Sequence, residues 1–363
     1  MKLNRLTAIV LVLLFSFPIV LLSQNANAAT PNTIFLIEPP HRDLSGKFID
    51  EDLTAALQPT GRLGALVYFP PYRPRTWAID PALIDDVLAL PVDNLVSRAW
   101  LSQLKAITNY DNVTAVPYGH PIVSLATRLA PSELRYYSEA SQKKLKAFLG
   151  NRVQIEVAVT WGASNDTIPA ETIRTYTFNR RTLAVLSTVI PAEQLDSLRS
   201  SLATLLSSDI SKSERLTLTQ SADAAVIEQR HKLRIVSGKY RLTSAKEKLP
   251  ITLVNDYATP ITVTLDLQPI NSRIQIGKVP PVSLAPKSKT QLSVPITVIA
   301  SGTTAIVGSF INSHGDGISD STVLTLNASV ISPAVAWFTT GAAILLFLGA
   351  ITQSVRRVRR ART

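Results

Sequence analysis

Two long apolar runs, one near each end, constrain this chain more than anything between them. Lys2 and Arg5 precede the first run, Leu6 to Leu22, which closes at Ala26-Asn27-Ala28. A basic start, an apolar stretch and a small-x-small site are the pattern of a secretory signal. The second run, Ala334 to Ile351, follows Pro333 and is itself followed by Arg356-Arg357-Val358-Arg359-Arg360. About 18–20 apolar residues cross a bilayer core, and a basic cluster beyond such a run stays on the cytoplasmic side. The pattern predicts a signal peptide over 1–28, a transmembrane helix over 333–355 and a basic cytoplasmic tail over 356–363. It predicts a single-pass type I protein of the cell membrane with its bulk extracytoplasmic.

Charge follows the same division. The net charge of +11 falls to +4 once the seven basic residues of the two ends are set aside. The basic balance is therefore a topology signal and not a nucleic-acid footprint. There is no Cys among the 363 residues, which excludes disulfides, thiolate metal sites and a Cys nucleophile. A large exported region without disulfides suits a bacterial cell envelope better than a eukaryotic surface. With 46% apolar residues the chain has the means to bury a core.

From about residue 231 to 332 the pattern is all-β. Ile261, Val263, Leu265 and Leu267 alternate with polar residues, as do Leu292, Val294, Ile296 and Val298. Alternation of period two puts each set on one face of a strand. About seven such strands, separated by Pro, Gly, Asn and Asp, predict an Ig-like β-sandwich. Pro295 inside one run predicts an edge strand or a bulge. Asp256, Asp316 and Asp320 fall at turns, and turn chemistry accounts for them.

Residues 29–230 read as α/β. Apolar strands are expected over 33–37, 76–80, 113–118, 153–161 and 183–190, with helices between them, among them 132–149 and 192–206. The βαβα order predicts a mainly parallel sheet. Five or six strands are too few for a closed eight-stranded barrel, so the expectation is a partial or shrunken β/α barrel-like domain. Parallel sheets carry their sites at the carboxyl ends of the strands. The residues placed there are Glu38, Asp80, Tyr118, His120 and Trp161. Glu38, Asp80 and His120 are the candidate catalytic groups, since two carboxylates serve as acid and base in a glycosidase. Asp80, just before Pro81, also fits a helix cap. Trp77, Tyr118 and Trp161 are the candidate binding residues, with flat rings suited to stacking on sugars, and each is equally suited to a core. No zincin, nucleophile-elbow, P-loop or dinucleotide motif is present, and no metal or cofactor is expected.

Three stretches carry a resemblance: Trp77-Ala78-Ile79-Asp80-Pro81-Ala82-Leu83-Ile84-Asp85-Asp86-Val87, Ala99-Trp100-Leu101, and Thr114 to Pro121. They resemble the distal domain of a group of actinobacterial surface proteins of unknown function. Leu249 to Asp256, followed by Pro260-Ile261-Thr262-Val263, is similar to the start of the Ig-like domain of that group. The resemblance implies a cell-envelope protein, often encoded near the lipid II flippase, and supplies no established activity. Typical members carry a Tyr-x-Asp-Pro stretch where this chain has Tyr118-Gly119-His120-Pro121.

Three functions remain open. The first expectation is a non-catalytic envelope module that binds cell-wall glycan or an envelope partner. The second is a polysaccharide hydrolase or deacetylase. The third is a structural partner of a membrane protein complex of peptidoglycan synthesis.

Overall fold

A computed structural model describes residues 32–150, 155–157, 168–329 and 333–360. The expected signal peptide, residues 1–28, and Trp161 lie outside the described residues.

The N-terminal part is built on a parallel sheet. In chain order it runs β1 (Asn32–Leu36), α1 (Leu53–Leu57), α2 (Arg62–Tyr68), β2 (Arg75–Ile79), α3 (Pro81–Ala89), α4 (Leu95–Thr108), β3 (Asn112–Ala115), α5 (Val123–Leu129), α6 (Pro131–Leu149) and β4 (Ile155–Val157). The strands lie in the order β1-β2-β3-β4, with Ile34 opposite Trp77 and Trp77 opposite Val113. Ile34, Leu36, Trp77, Ile79, Val113 and Ala115 form a core with Leu53, Leu63, Trp100, Leu104 and Leu145 from the helices. Local chemistry starts the helices. Asp80 caps α3, whose first residue is Pro81, and Asn94 caps α4 through the Ser97 N–H.

Next come α7 (Ala170–Leu186), a 3₁₀ turn Ala192–Gln194, α8 (Asp196–Ser201), a second 3₁₀ turn Leu202–Leu206, and α9 (Lys212–His231). The strand expected over 183–190 is a correction: this segment is the last turn of α7 and the turns after it. Tyr176, Leu183, Leu186 and Ile190 are all buried, a helical spacing that overrides the β-branched composition. The expected helix 192–206 is broken into three short pieces. The described parallel sheet has four strands, and β1 and β4 are its outer strands, so the barrel-like expectation is corrected to an open sheet.

The chain then enters the β-rich part: β5 (Leu233–Ile235), β6 (Gly238–Leu242), β7 (Lys246–Asn255), β8 (Ile261–Pro269), β9 (Ile274–Ile276), β10 (Val282–Leu284), β11 (Ser288–Val298), β12 (Gly302–Ile311) and β13 (Thr322–Ala328). One sheet has the order β10-β8-β12-β13-β6 and the other β5-β7-β11-β9. Ile251, Leu253, Ile261, Val263, Val294, Ile296, Ile306, Phe310, Leu324 and Leu326 are buried between them. That is an Ig-like sandwich by its packing. Pro295 sits in β11, an inner strand, and not on an edge. Its carbonyl accepts from the Gly277 N–H at 2.8 Å just past the end of β9, so its missing N–H faces the place where pairing stops.

The helices α7 to α9 and the sandwich share one hydrophobic core, distinct from that of the parallel sheet. Leu183, Leu202, Leu205, Leu218 and Val226 of the helices belong to the same buried cluster as the sandwich interior. Polar ties reinforce it. Tyr257 Oη donates to the Gln229 carbonyl at 2.8 Å, Arg230 pairs with Asp320 at 2.9 Å, and Asn312 Nδ2 donates to Thr188 Oγ1 at 3.1 Å.

A last helix, α10 (Pro333–Arg360), follows the sandwich. Among the described residues no helix is long and apolar enough to cross a membrane. This corrects the expected transmembrane helix over 333–355 and, with it, the single-pass cell-membrane localisation.

Phe310 is fully buried in the shared core. Phe310→Ala is expected to lower the unfolding free energy by about 3–5 kcal/mol, measured by denaturant titration.

Candidate functional site

The carboxyl ends of β1, β2 and β3 gather the polar residues of interest. Asp80 directly follows β2. Its Oδ1 accepts from the Ala82 N–H at 2.9 Å and from the Gly119 N–H at 3.0 Å. Its Oδ2 lies 2.7 Å from His120 Nδ1. His120 Nε2 in turn lies 2.7 Å from Ser207 Oγ. Asp80, His120 and Ser207 are 0%, 3% and 0% exposed. A carboxylate has no proton to donate, so His120 donates from Nδ1, and in the neutral ring its Nε2 is the acceptor for the Ser207 hydroxyl. Asp209 completes the surround. Its backbone N–H donates to Ser207 Oγ at 3.2 Å, and its carboxylate lies 3.5 Å from His120 Nε2.

Backbone geometry holds this chain of hydrogen bonds in place. Gly119 and His120 both have positive φ, +69° and +35°, which turns the chain sharply after β3. A Cβ on Gly119 would stand 2.7 Å from the Thr204 methyl and 2.9 Å from its nitrogen, so a glycine is required there. The Ser207 carbonyl accepts from buried Arg215 at 2.9 Å. Pro121 and Ser207 form an isolated β-bridge.

Beside this relay lies an open cleft of about 270 Å³. Arg42, Asp43, Asp86, Tyr118, Ser201 and Glu228 line it, with Gln194 and Gln229. Ala82, Tyr118 and Thr204 also line it, and each is a near chain neighbour of one relay member. Asp86 is anchored from two sides: Arg42 Nε donates to one oxygen and the His41 N–H to the other, both at 2.8 Å. Burial pushes the Asp86 carboxyl above the usual carboxylate range, with the Arg42 bond and charge opposing it. Tyr118 donates to Asp85 at 2.9 Å. Burial, and then the Asp85 charge, push its phenol well above the ordinary value.

The expected site residues are thus divided. Asp80 and His120 meet in the relay, and Tyr118 lines the neighbouring cleft. Glu38 is paired with Arg62 at the start of α2 and belongs to neither. Trp77 has no exposed surface; its Nε1 donates to Asp111 at 2.9 Å, so it is a core residue and offers no stacking face. Ser207, Arg42, Asp86 and Glu228 escape the sequence reading. Ser207 is 87 residues from His120, which is 40 residues from Asp80, and no local motif marks these spacings. Among the described residues no group of three or more His, Cys, Asp or Glu is placed to hold a metal ion.

Residues 124–363 match the family of unknown function DUF6049. The chain is a member of that family. The DUF6049 match includes Ser207, the cleft residues of α8 and α9, and the sandwich, while Asp80 and His120 precede it. No curated protein matches the chain. The likenesses to solved structures are short. They include a C. elegans MSP family member (8% identity, TM-score 0.21, 27% of this chain and 98% of that one). Others are the E. coli chaperone DraB (14%, 0.21, 27% and 54%) and a PapD-like domain of human CEP192 (10%, 0.22, 28% and 86%). TM-scores this low carry no argument about what this DUF6049 member does.

The raised Asp86 pKa has a stability consequence of defined sign. An acid with a higher pKa when folded stabilises the protein at low pH, and the benefit is lost as pH rises through the folded pKa. The Asp86 contribution to stability should therefore fall as pH rises from the ordinary Asp value of about 3.9 through that of Asp86. Asp86→Asn should lack this component, as read by denaturant titrations across that pH range.

Proposed function

We propose that this chain is a glycan-binding module, with the cleft at the strand carboxyl ends as its site and cell-wall glycan as its ligand class. The observation that carries the reading is the cleft itself. It stands where parallel sheets place their ligands, and its wall combines planar donors and acceptors (Arg42, Asp86, Gln194, Glu228, Gln229) with the edge of an aromatic residue, Tyr118. Planar polar side chains meet the paired hydroxyls of a sugar with two hydrogen bonds at once, and fixed ones do so at low entropic cost. Arg42 and Asp86 are fixed in this sense by their mutual bond. A two-carboxylate glycosidase has less support: Glu38 is spent on Arg62 and Asp80 has no exposed surface. The wider setting in this proposal is an actinobacterial cell envelope, with the gene near that of the lipid II flippase.

The test is retention and calorimetry of the purified chain with cell-wall polysaccharide fractions. Arg42→Ala and Glu228→Ala should each weaken binding about tenfold, equivalent to roughly 1.4 kcal/mol. Binding that neither substitution alters would sink the cleft as the site. Retention of a protein of peptidoglycan synthesis with no glycan would favour a structural partner of that complex instead.

A further inference from the structure

The relay beside the cleft has a chemistry that binding does not use. We propose that Ser207, His120 and Asp80 form the nucleophilic centre of an acyl-ester hydrolase, closed in the described conformation and opened by displacement of the Asp209 side chain. Ser207 and His120 are the catalytic residues; Asp80 positions His120.

The roles are distinguishable in the hydrogen bonds. Two backbone N–H groups, those of Ala82 and Gly119, hold one oxygen of Asp80 and leave the other for His120 Nδ1. That contact fixes the imidazole tautomer, and the lone pair on Nε2 faces the Ser207 hydroxyl at 2.7 Å. This order of carboxylate, imidazole and hydroxyl is the one that makes a serine nucleophilic. The backbone of His120 has φ +35°, a conformation non-glycine residues seldom adopt and one concentrated at functional sites.

Access is the obstacle, and the structure marks a route. Ser207 and His120 are buried, but the Asp209 side chain that lies against His120 Nε2 is 56% exposed, so solvent is one side chain away. The backbone around Ser207 stays in place: it bridges Pro121, the Leu206 carbonyl accepts from the Ile122 N–H at 2.8 Å, and Arg215 holds the Ser207 carbonyl at 2.9 Å. Moving that one side chain leaves the Ser207–His120 hydrogen bond intact.

The reaction balances with water as the sole co-reactant. Ser207 Oγ attacks the ester carbonyl while its proton passes to His120 Nε2. The tetrahedral intermediate expels the alcohol, which takes that proton, and leaves an acyl group on Ser207. Water then gives a proton to His120 and attacks the acyl carbonyl. The bond to Ser207 breaks, the proton returns to its oxygen, and a carboxylic acid leaves. The Asp209 N–H donates to Ser207 Oγ at 3.2 Å and orients the nucleophile. A small acyl ester of a polyhydroxylated alcohol is the substrate class that follows. The polyhydroxylated part of that statement rests on the cleft reading, and the hydrolytic part does not.

The experiment is to incubate the full chain with a fluorophosphonate probe and map the adduct by mass spectrometry, with p-nitrophenyl acetate turnover in parallel. The expected result is one adduct, on Ser207, absent from Ser207→Ala. Asp80→Asn should lower kcat for the acetate roughly 10⁴-fold with KM little changed, a split that a merely structural role for Asp80 does not produce. An unlabelled wild-type chain overturns the proposal, and so does an adduct that persists in Ser207→Ala. The wild-type map decides even if a variant fails to fold. Labelling of Ser207 without any glycan binding would leave the hydrolytic centre standing and remove the cleft reading.

Discussion

A carboxylate with no access to water has to be satisfied on every side, and Asp80 is that group in this protein. An unpaired buried charge costs several kcal/mol, so the surroundings of Asp80 are not free to vary. It caps α3 through the Ala82 N–H, receives the Gly119 N–H from the turn after β3, and holds His120. Through His120 it reaches Ser207, which lies beyond α8 in the chain. One side chain therefore joins the ends of two parallel strands to the helical segment that leads into the sandwich. The positive φ of Gly119 and His120 is the backbone cost of that arrangement.

The second constraint is the shared core. The helices α7 to α9 bury their apolar faces in the same cluster as the sandwich, and Arg215 at the start of α9 holds carbonyls of Leu205 and Ser207. The segment carrying Ser207 is thus packed from one side by the sandwich-linked helices and tied on the other to His120. This explains how a polar relay and an open polar cleft stand side by side. The cleft opens between the Pro40–Gly46 loop and α8 with α9. The relay closes the gap just behind it.

Much of the fold was legible where one face of an element is buried. The alternation of Ile261, Val263 and Leu265 marks an inward strand face, and those residues are buried. Asp80 before Pro81 signals a helix start, and its carboxylate does cap α3. Legibility failed where two periods compete. Leu183 to Ile190 is rich in apolar and β-branched residues and reads as a strand, yet Tyr176, Leu183 and Leu186 bury one helical face. The apolar C-terminal run reads as a membrane span, but no helix among the described residues reaches the required length and apolarity. Of the expected site residues, Trp77 went to the core because a large ring on a central strand is worth more buried than exposed. Glu38 went to Arg62 because that cation begins the adjacent α2.

The elements whose chemistry is local, the alternating strands and the capped helix starts, were written in the amino-acid order. It also held Asp80 and His120 at strand ends, because a parallel sheet gives such positions a common edge. Which distant groups meet there is a matter of packing across the whole chain. Ser207 is 87 residues from His120 and has no motif of its own. Its place is fixed by the burial of α7, α8 and α9 against the sandwich, an energy summed over many apolar contacts that no short stretch of sequence contains.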